Sequence, residues 1–150
     1  GLVSMREREG AALRADISSK LDSIAASVAR VEKLAPDVVE EYRKKLTARI
    51  TEALGSGVAD MARVATEVAL FADKCAVDEE ISRLKAHVAA MRGYLEADGP
   101  VGRKLDFLVQ EMNREANTIG SKANDLRITE EVLGLKNDIE KIREQAQNVE

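Results

Sequence analysis

Aromatic side chains are nearly missing from this 150-residue chain, which has no tryptophan, two phenylalanines and two tyrosines. Nucleic-acid binding through stacked aromatic platforms is therefore excluded as a principal mode. Cys75 is the single cysteine, so no disulfide can close within the chain and nothing marks an oxidising compartment. No apolar run approaches the roughly 20 residues that a membrane span needs. A basic excess is also lacking: 23 Lys and Arg face 27 Asp and Glu, for a net charge of -4. Any anion-binding surface must then be local. Nucleophile motifs are absent as well, with no G-x-S-x-G, no P-loop and no argument for a Cys–His relay. Hydrolysis assisted by a metal ion and carboxylates is the catalytic chemistry left. The opening GLVSMREREG carries neither an initiator Met nor a signal-peptide pattern. It predicts a cytoplasmic segment of a longer protein, with residues 1–4 as linker and one domain over 1–150.

What is present is charge and aliphatic surface: 33% of residues are charged, and Ala, Leu, Val, Glu, Lys and Arg dominate. That balance predicts an all-α fold. No period-two strand pattern persists, and the apolar spacing predicts about five helices. The first, from about Met5 to Leu34, carries the seam Leu13, Ile17, Leu21, Ile24, Val28, Val31 and Ala35, in steps of four and three. Pro36 is expected to end it and to start a second helix over Asp37–Leu54, closed by Gly55-Ser56-Gly57. A third region, Val58 to Ala97, should break near Lys74–Asp78 and continue with the seam Ile81, Leu84, Val88, Met91 and Leu95. Ala97-Asp98-Gly99-Pro100 punctuates the chain before a fourth helix from Pro100 to about Ala123. The fifth carries Ile128, Val132, Leu135, Ile139, Ile142, Ala146 and Val149 to the end. The first and last helices are expected to pair as an elongated, antiparallel, coiled-coil-like arm, with the shorter helices packed at one end.

The fourth helix has an unusual polar side. One row holds Arg103, Asp106, Gln110, Asn113, Asn117 and Asn124; the next holds Phe107, Glu111, Arg114, Thr118, Ser121 and Lys122. Asn and Asp are poorer helix formers than the Glu and Lys of an ordinary solvated face. Either the amides satisfy partners across a subunit contact, or they form a ligand strip in which Arg meets phosphate and carboxylates hold a metal. The start of this helix, Gly99 to Gly102 followed by Arg103 and Lys104, combines free amides with two cations, as a phosphate site does and as an ordinary Pro-started helix also does. His87, the one histidine, lies one position off the apolar seam, where a structural role is the commoner case. With Glu79, Glu80 and a carboxylate from the fourth helix it supplies donors suited to Mg²⁺ or Mn²⁺.

Four stretches go further than periodicity: MREREG, EEISRLKAHV, GRKLDFLVQEMNREANTIGSKAND and EKIREQAQNVE. Their order and spacing, from about Met5 to Glu150, resemble the C-terminal half of the bacterial YicC/YloC family. The resemblance implies an N-terminal α/β domain that precedes this segment in the longer protein. It also implies endoribonuclease activity dependent on a divalent metal, RNA as substrate, hexameric assembly and a part in stress survival. Carried onto this chain, it makes Asp106, Glu111, Glu115 and His87 candidate catalytic residues. Glu79, Glu80, His87, Asp106 and Glu111 become candidate ligands of Mn²⁺ or Mg²⁺. Arg103, Lys104, Gln110, Asn113, Arg114, Asn117, Ser121 and Lys122 become candidate RNA contacts. A non-catalytic assembly module, or an adaptor presenting RNA to another nuclease, remains the alternative.

Overall fold

The computed structural model describes residues 1–54, 61–97, 99 and 101–148. Among these the secondary structure is entirely helical: α1 spans Leu2–Leu54, α2 Met61–Cys75, α3 Asp78–Glu96, α4 Gly102–Lys122 and α5 Leu126–Ala146. The expected all-α class and the break between α2 and α3 are both present. The Gly55-Ser56-Gly57 turn, the start of the third region at Val58, Pro100 and Val149 lie outside the described residues.

Pro36 does not end the first helix. α1 runs 53 residues without interruption and holds Pro36 inside it, giving a rod about 80 Å long. Proline removes one backbone donor and crowds the carbonyl four residues back. Here its neighbours outweigh that loss. Val31 and Val38 are buried on either side, while Leu34 and Ala35 pack against the same core. The seam thus continues through the proline, whose own ring is exposed. Pro36→Ala is expected to stabilise the fold by about 2 kcal/mol, the helix-interior penalty of proline less its entropic benefit in the unfolded chain. Chemical denaturation at neutral pH measures this, and an unchanged or lowered midpoint would mean that the helix is not continuous there.

Pairing of α1 with α5 is antiparallel. Ser23 Oγ donates to Asp138 at 2.7 Å, Arg30 Nε meets Glu131 at 2.9 Å and Arg127 meets Glu41 at 2.9 Å, so partner numbers fall as α1 rises. The expected arm is refined in two ways. α5 has only 21 residues, no more than α4. And α3 and α4 lie alongside the α1/α5 pair instead of at one end: α3 reaches α1 through Lys85–Glu32 and Arg92–Asp22, each 2.8 Å. Four antiparallel helices, α1, α3, α4 and α5, thus enclose one core built from Ile17, Leu21, Ile24, Leu84, Met91, Leu105, Met112, Ile119, Leu135 and Ile139, all at 0% exposure. The far half of α1 carries α2, with Tyr42 and Phe71 stacked at 3.9 Å between ring centroids.

Two local features set where α4 sits. Gly99 takes φ 98° between α3 and α4, a left-handed conformation that glycine adopts without a Cβ clash. Gly120 lets α4 approach α5 closely, because a Cβ there would stand 3.2 Å from Val132 Cγ1. α5 begins at Asp125, whose carboxylate caps the helix by accepting from Arg127 N at 2.8 Å.

Candidate metal centre

Three buried polar or charged side chains occur among the described residues: Ser27, Glu80 and Glu115. Two of them lie on the α3/α4 seam. A carboxylate in such a place is costly unless paired and hydrogen-bonded, so each must have a reason.

The seam reads from one end to the other as a ladder of opposed charges. Glu80, 3% exposed, accepts from Lys122 Nζ at 2.7 Å and lies 3.8 Å from Arg83. Arg83 Nε in turn donates to Glu115 at 2.8 Å. Beyond Glu115, one ligand atom each from His87, Glu111 and Glu115 gathers so that all lie within 4.8 Å of one another. Past that group Lys104 rests over the Tyr94 ring, 5.1 Å from its centroid. Helical spacing explains the order. Glu80, Arg83 and His87 stand three and four residues apart on α3, and Glu111 and Glu115 stand four apart on α4, so each set shares one face. Antiparallel packing brings the two faces together.

The group has the marks of a cation site. His87 Nε2 is buried and has no hydrogen-bond partner. Two carboxylates converge on the same point, and among the described residues no cation pairs with Glu111. Arg83 engages one oxygen of Glu115, which orients that carboxylate as outer-shell partners of metal ligands do. One imidazole nitrogen and two carboxylates suit a divalent ion of the Mn²⁺ type. Three protein ligands would leave coordination positions open, as catalytic sites do. The residues therefore fit such an ion.

The other sequence candidates are placed elsewhere. Glu80 lies two turns before His87, about 10 Å along the axis, and its charge is answered by Lys122. Glu79 points outward, with its side chain 85% exposed and 3.7 Å from Arg83. Asp106 precedes Glu115 by nine residues, which rotates it about 180° around α4. It faces α5, accepts weakly from Gln110 at 3.4 Å and lines a shallow cleft with Gly102, Arg103, Ala146 and Gln147. The polar side of α4 is thus two surfaces. Glu111, Glu115 and Lys122 border α3, while Asp106, Gln110, Asn113 and Asn117 lie on the other side, Asp106 beside the end of α5 and Gln110 and Asn117 exposed. Arg103, Arg114 and Ser121 are exposed between these edges, and Ser121 donates its hydroxyl to Thr118 O at 3.1 Å. From the sequence Glu115 is expected among the catalytic residues and not among the ligands, and Arg83 has no expected role. The four-residue spacing of Glu111 and Glu115 was the available signal.

Burial alone would raise the Glu80 pKa, but the Lys122 hydrogen bond, the residue's own backbone amide and the Lys122 and Arg83 charges together carry it below the ordinary glutamate range. A depressed carboxylate contributes stability above its unfolded pKa of about 4.3 and loses it as pH falls through the folded value. Glu80→Gln should therefore be less stable than the native chain at pH 7, and the gap should close below about pH 4. Urea unfolding at the two pH values measures this; a gap that stays constant would show that ionisation of Glu80 does not matter to folding.

Comparison with known proteins adds a second line. Residues 31–150 match the family model described as "Endoribonuclease YicC-like, C-terminal". The protein of Clostridioides difficile (strain 630) named "Probable endoribonuclease YicC" is 47% identical over 150 residues, covering 99% of this chain and 51% of that protein. A "Probable endoribonuclease YicC" of Haemophilus influenzae is 42% identical over 148 residues, with the same two coverages of 99% and 51%. The chain spans about half the length of the curated relatives it matches. No helix among the described residues is long and apolar enough to cross a membrane.

Proposed function

Because the chain belongs to the YicC-like endoribonuclease family, through its C-terminal domain, we propose that it contributes the divalent-metal centre of an RNA-cleaving enzyme. The observation that carries this reading is the convergence of His87, Glu111 and Glu115 beside an unpartnered buried imidazole nitrogen. His87 and Glu115 fix the site, the former from α3 and the latter held by Arg83. Glu111, half-buried and without an ion pair among the described residues, is the ligand with an open side. Arg83 keeps its side chain 49% exposed while bonded to Glu115, so it can also face a phosphate. A divalent ion bound there supplies Lewis-acid activation of a phosphoryl oxygen and a more acidic water. The imidazole makes Mg²⁺ a poorer occupant than Mn²⁺, since Mg²⁺ favours all-oxygen shells.

With aromatics so scarce, RNA would be held mainly by its backbone, and the exposed Arg103 and Arg114 of α4, which pair with no carboxylate among the described residues, are candidate contacts. Self-assembly is part of the same reading: Leu126 and Leu133, 72% and 63% exposed and two turns apart on α5, give an apolar outer face to a second copy.

The test is cleavage of a single-stranded RNA by the intact protein with and without Mn²⁺. Glu111→Gln should abolish cleavage with assembly size unchanged, whereas Asp106→Asn, on the opposite side of α4, should leave cleavage intact. Cleavage that survives Glu111→Gln would favour the assembly-module alternative for this domain, and cleavage that vanishes only with Asp106→Asn would move the catalytic carboxylate to the other side of α4.

A further inference from the structure

Two buried side-chain nitrogens among the described residues lack any hydrogen-bond partner: His87 Nε2, at the metal centre, and Arg14 Nε. An orphaned buried donor needs an explanation, and a missing ion or ligand is one. Arg14 lies on the other flank of α3. It lines a cleft of about 260 Å³ between α1 and α3, together with Ala15, Ser18, Arg92, Leu95 and Glu96. Ser18 follows Arg14 by four residues and so shares its helix face. Among the described residues Arg92 pairs with Asp22 alone, a carboxylate 71% exposed, and such a surface pair exchanges readily. Glu96 lines the same cleft, yet among the described residues no carboxylate pairs with Arg14.

The surface between this cleft and the metal centre is also unusual. His87 and Arg92 are five residues apart, about 7.5 Å along α3; the buried Leu84, Val88 and Met91 fill the roughly 140° arc between them, so across the solvent-facing side they are about 220° apart. Between them the outer ridge of α3 presents Ser82, Ala86, Ala89 and Gly93, all exposed and none bulky or charged. Nothing stands within 4 Å of where a Gly93 Cβ would be. An extended backbone can cross there at close range, with cationic or metal-binding groups on both sides.

We propose that Arg14 and Arg92 form a second phosphate site, gripping the backbone of the same RNA strand that the His87 centre cleaves, with the strand draped over the Ser82–Gly93 ridge. This rests on the nuclease reading above. The planar guanidinium fork suits phosphate oxygens, the orphan Arg14 Nε gains its missing acceptor, and the Ser18 hydroxyl adds a donor. Arg92 is released from Asp22 to join it.

Binding of a fluorescein-labelled 2′-O-methyl RNA of about 12 nucleotides, which reports association without cleavage, tests the site by anisotropy over a salt series. Arg14→Gln should weaken binding roughly three- to tenfold and reduce the slope of log K against log salt by about 0.7, the share of one single-strand phosphate. Arg92→Gln should act in the same direction and carries the test if Arg14→Gln does not fold. Arg49→Gln, exposed on the far half of α1, should change neither quantity, and Mn²⁺ affinity of Arg14→Gln should equal that of the native chain. RNA binding that is unaffected by both cleft variants, or lowered equally by Arg49→Gln, would overturn the second site and leave the metal centre standing. A native chain that binds Mn²⁺ but no RNA would overturn both the second site and the nuclease reading of this domain.

Discussion

Replacing His87 with alanine should remove Mn²⁺ binding from this chain at micromolar concentrations, and with it RNA cleavage by the intact protein. The imidazole is the only nitrogen donor of the group, and its partners are two carboxylates from a single helix. Two carboxylates on neighbouring turns are common on helices and bind divalent ions weakly in water; the third ligand, from α3, is what makes a site of them. Loss of an outer-shell partner at a metal centre typically costs 10–100-fold in affinity, so loss of a direct ligand should exceed about 100-fold, or roughly 2.7 kcal/mol. The fold should survive, because His87 is half-buried and lies at the edge of the seam, not within the core. Isothermal titration with Mn²⁺ and a thermal melt of the same sample separate these effects. Arg83→Gln gives a graded comparison: it frees Glu115 from its orienting partner without removing a ligand, so it should weaken Mn²⁺ binding by less than His87→Ala does. Equal Mn²⁺ affinity in His87→Ala and the native chain would remove His87 from the centre.

Leu135→Ala should be the most damaging simple truncation for stability. Leu135 is fully buried on α5, the helix that packs against both α1 and α4, and it joins the same core as Ile24 and Met112. Large-to-small changes at such positions cost about 2–5 kcal/mol through lost transfer energy and the cavity left behind. For a domain of this size that corresponds to a fall of roughly 5–15 °C in Tm. Lys136→Ala, the next residue on α5 and exposed, should change Tm by no more than a degree or two, within the usual range for surface positions. Differential scanning calorimetry on the pair checks it; similar losses at both positions would mean that α5 is rotated relative to its packing here.

Much of this bundle was readable from spacing. The four-three seams of the first, third and fifth regions identify Ile17, Leu21, Ile24, Leu84, Met91, Leu135 and Ile139 as core, and all are fully buried. The local rule that proline stops a helix fails at Pro36, where a continuous apolar stripe on both sides outweighs one lost hydrogen bond. The position of α3 and α4 alongside α1 was not readable, since each amphipathic helix shows which face is buried but not against which neighbour. The candidate metal group shows the same limit. Glu111 and Glu115 share a face by their spacing alone, but only antiparallel packing of α3 on α4 brings His87 to them. The same packing sends Glu80 to Lys122, while rotation about α4 sends Asp106 to the far side. The amide row of α4, the oddest feature of the sequence, lies away from His87, with Asp106 beside the end of α5 and Gln110 and Asn117 exposed, so the short acids and amides there belong to a different surface.

Where manganese sits in a crystal of this protein decides the central point most directly. Anomalous scattering recorded at the manganese edge from a Mn²⁺-soaked crystal should give its strongest peak on the α3/α4 seam, within coordination distance of His87, Glu111 and Glu115, with Arg83 still on Glu115. A strongest peak beside Asp106 or Glu79, with none at His87, would contradict it.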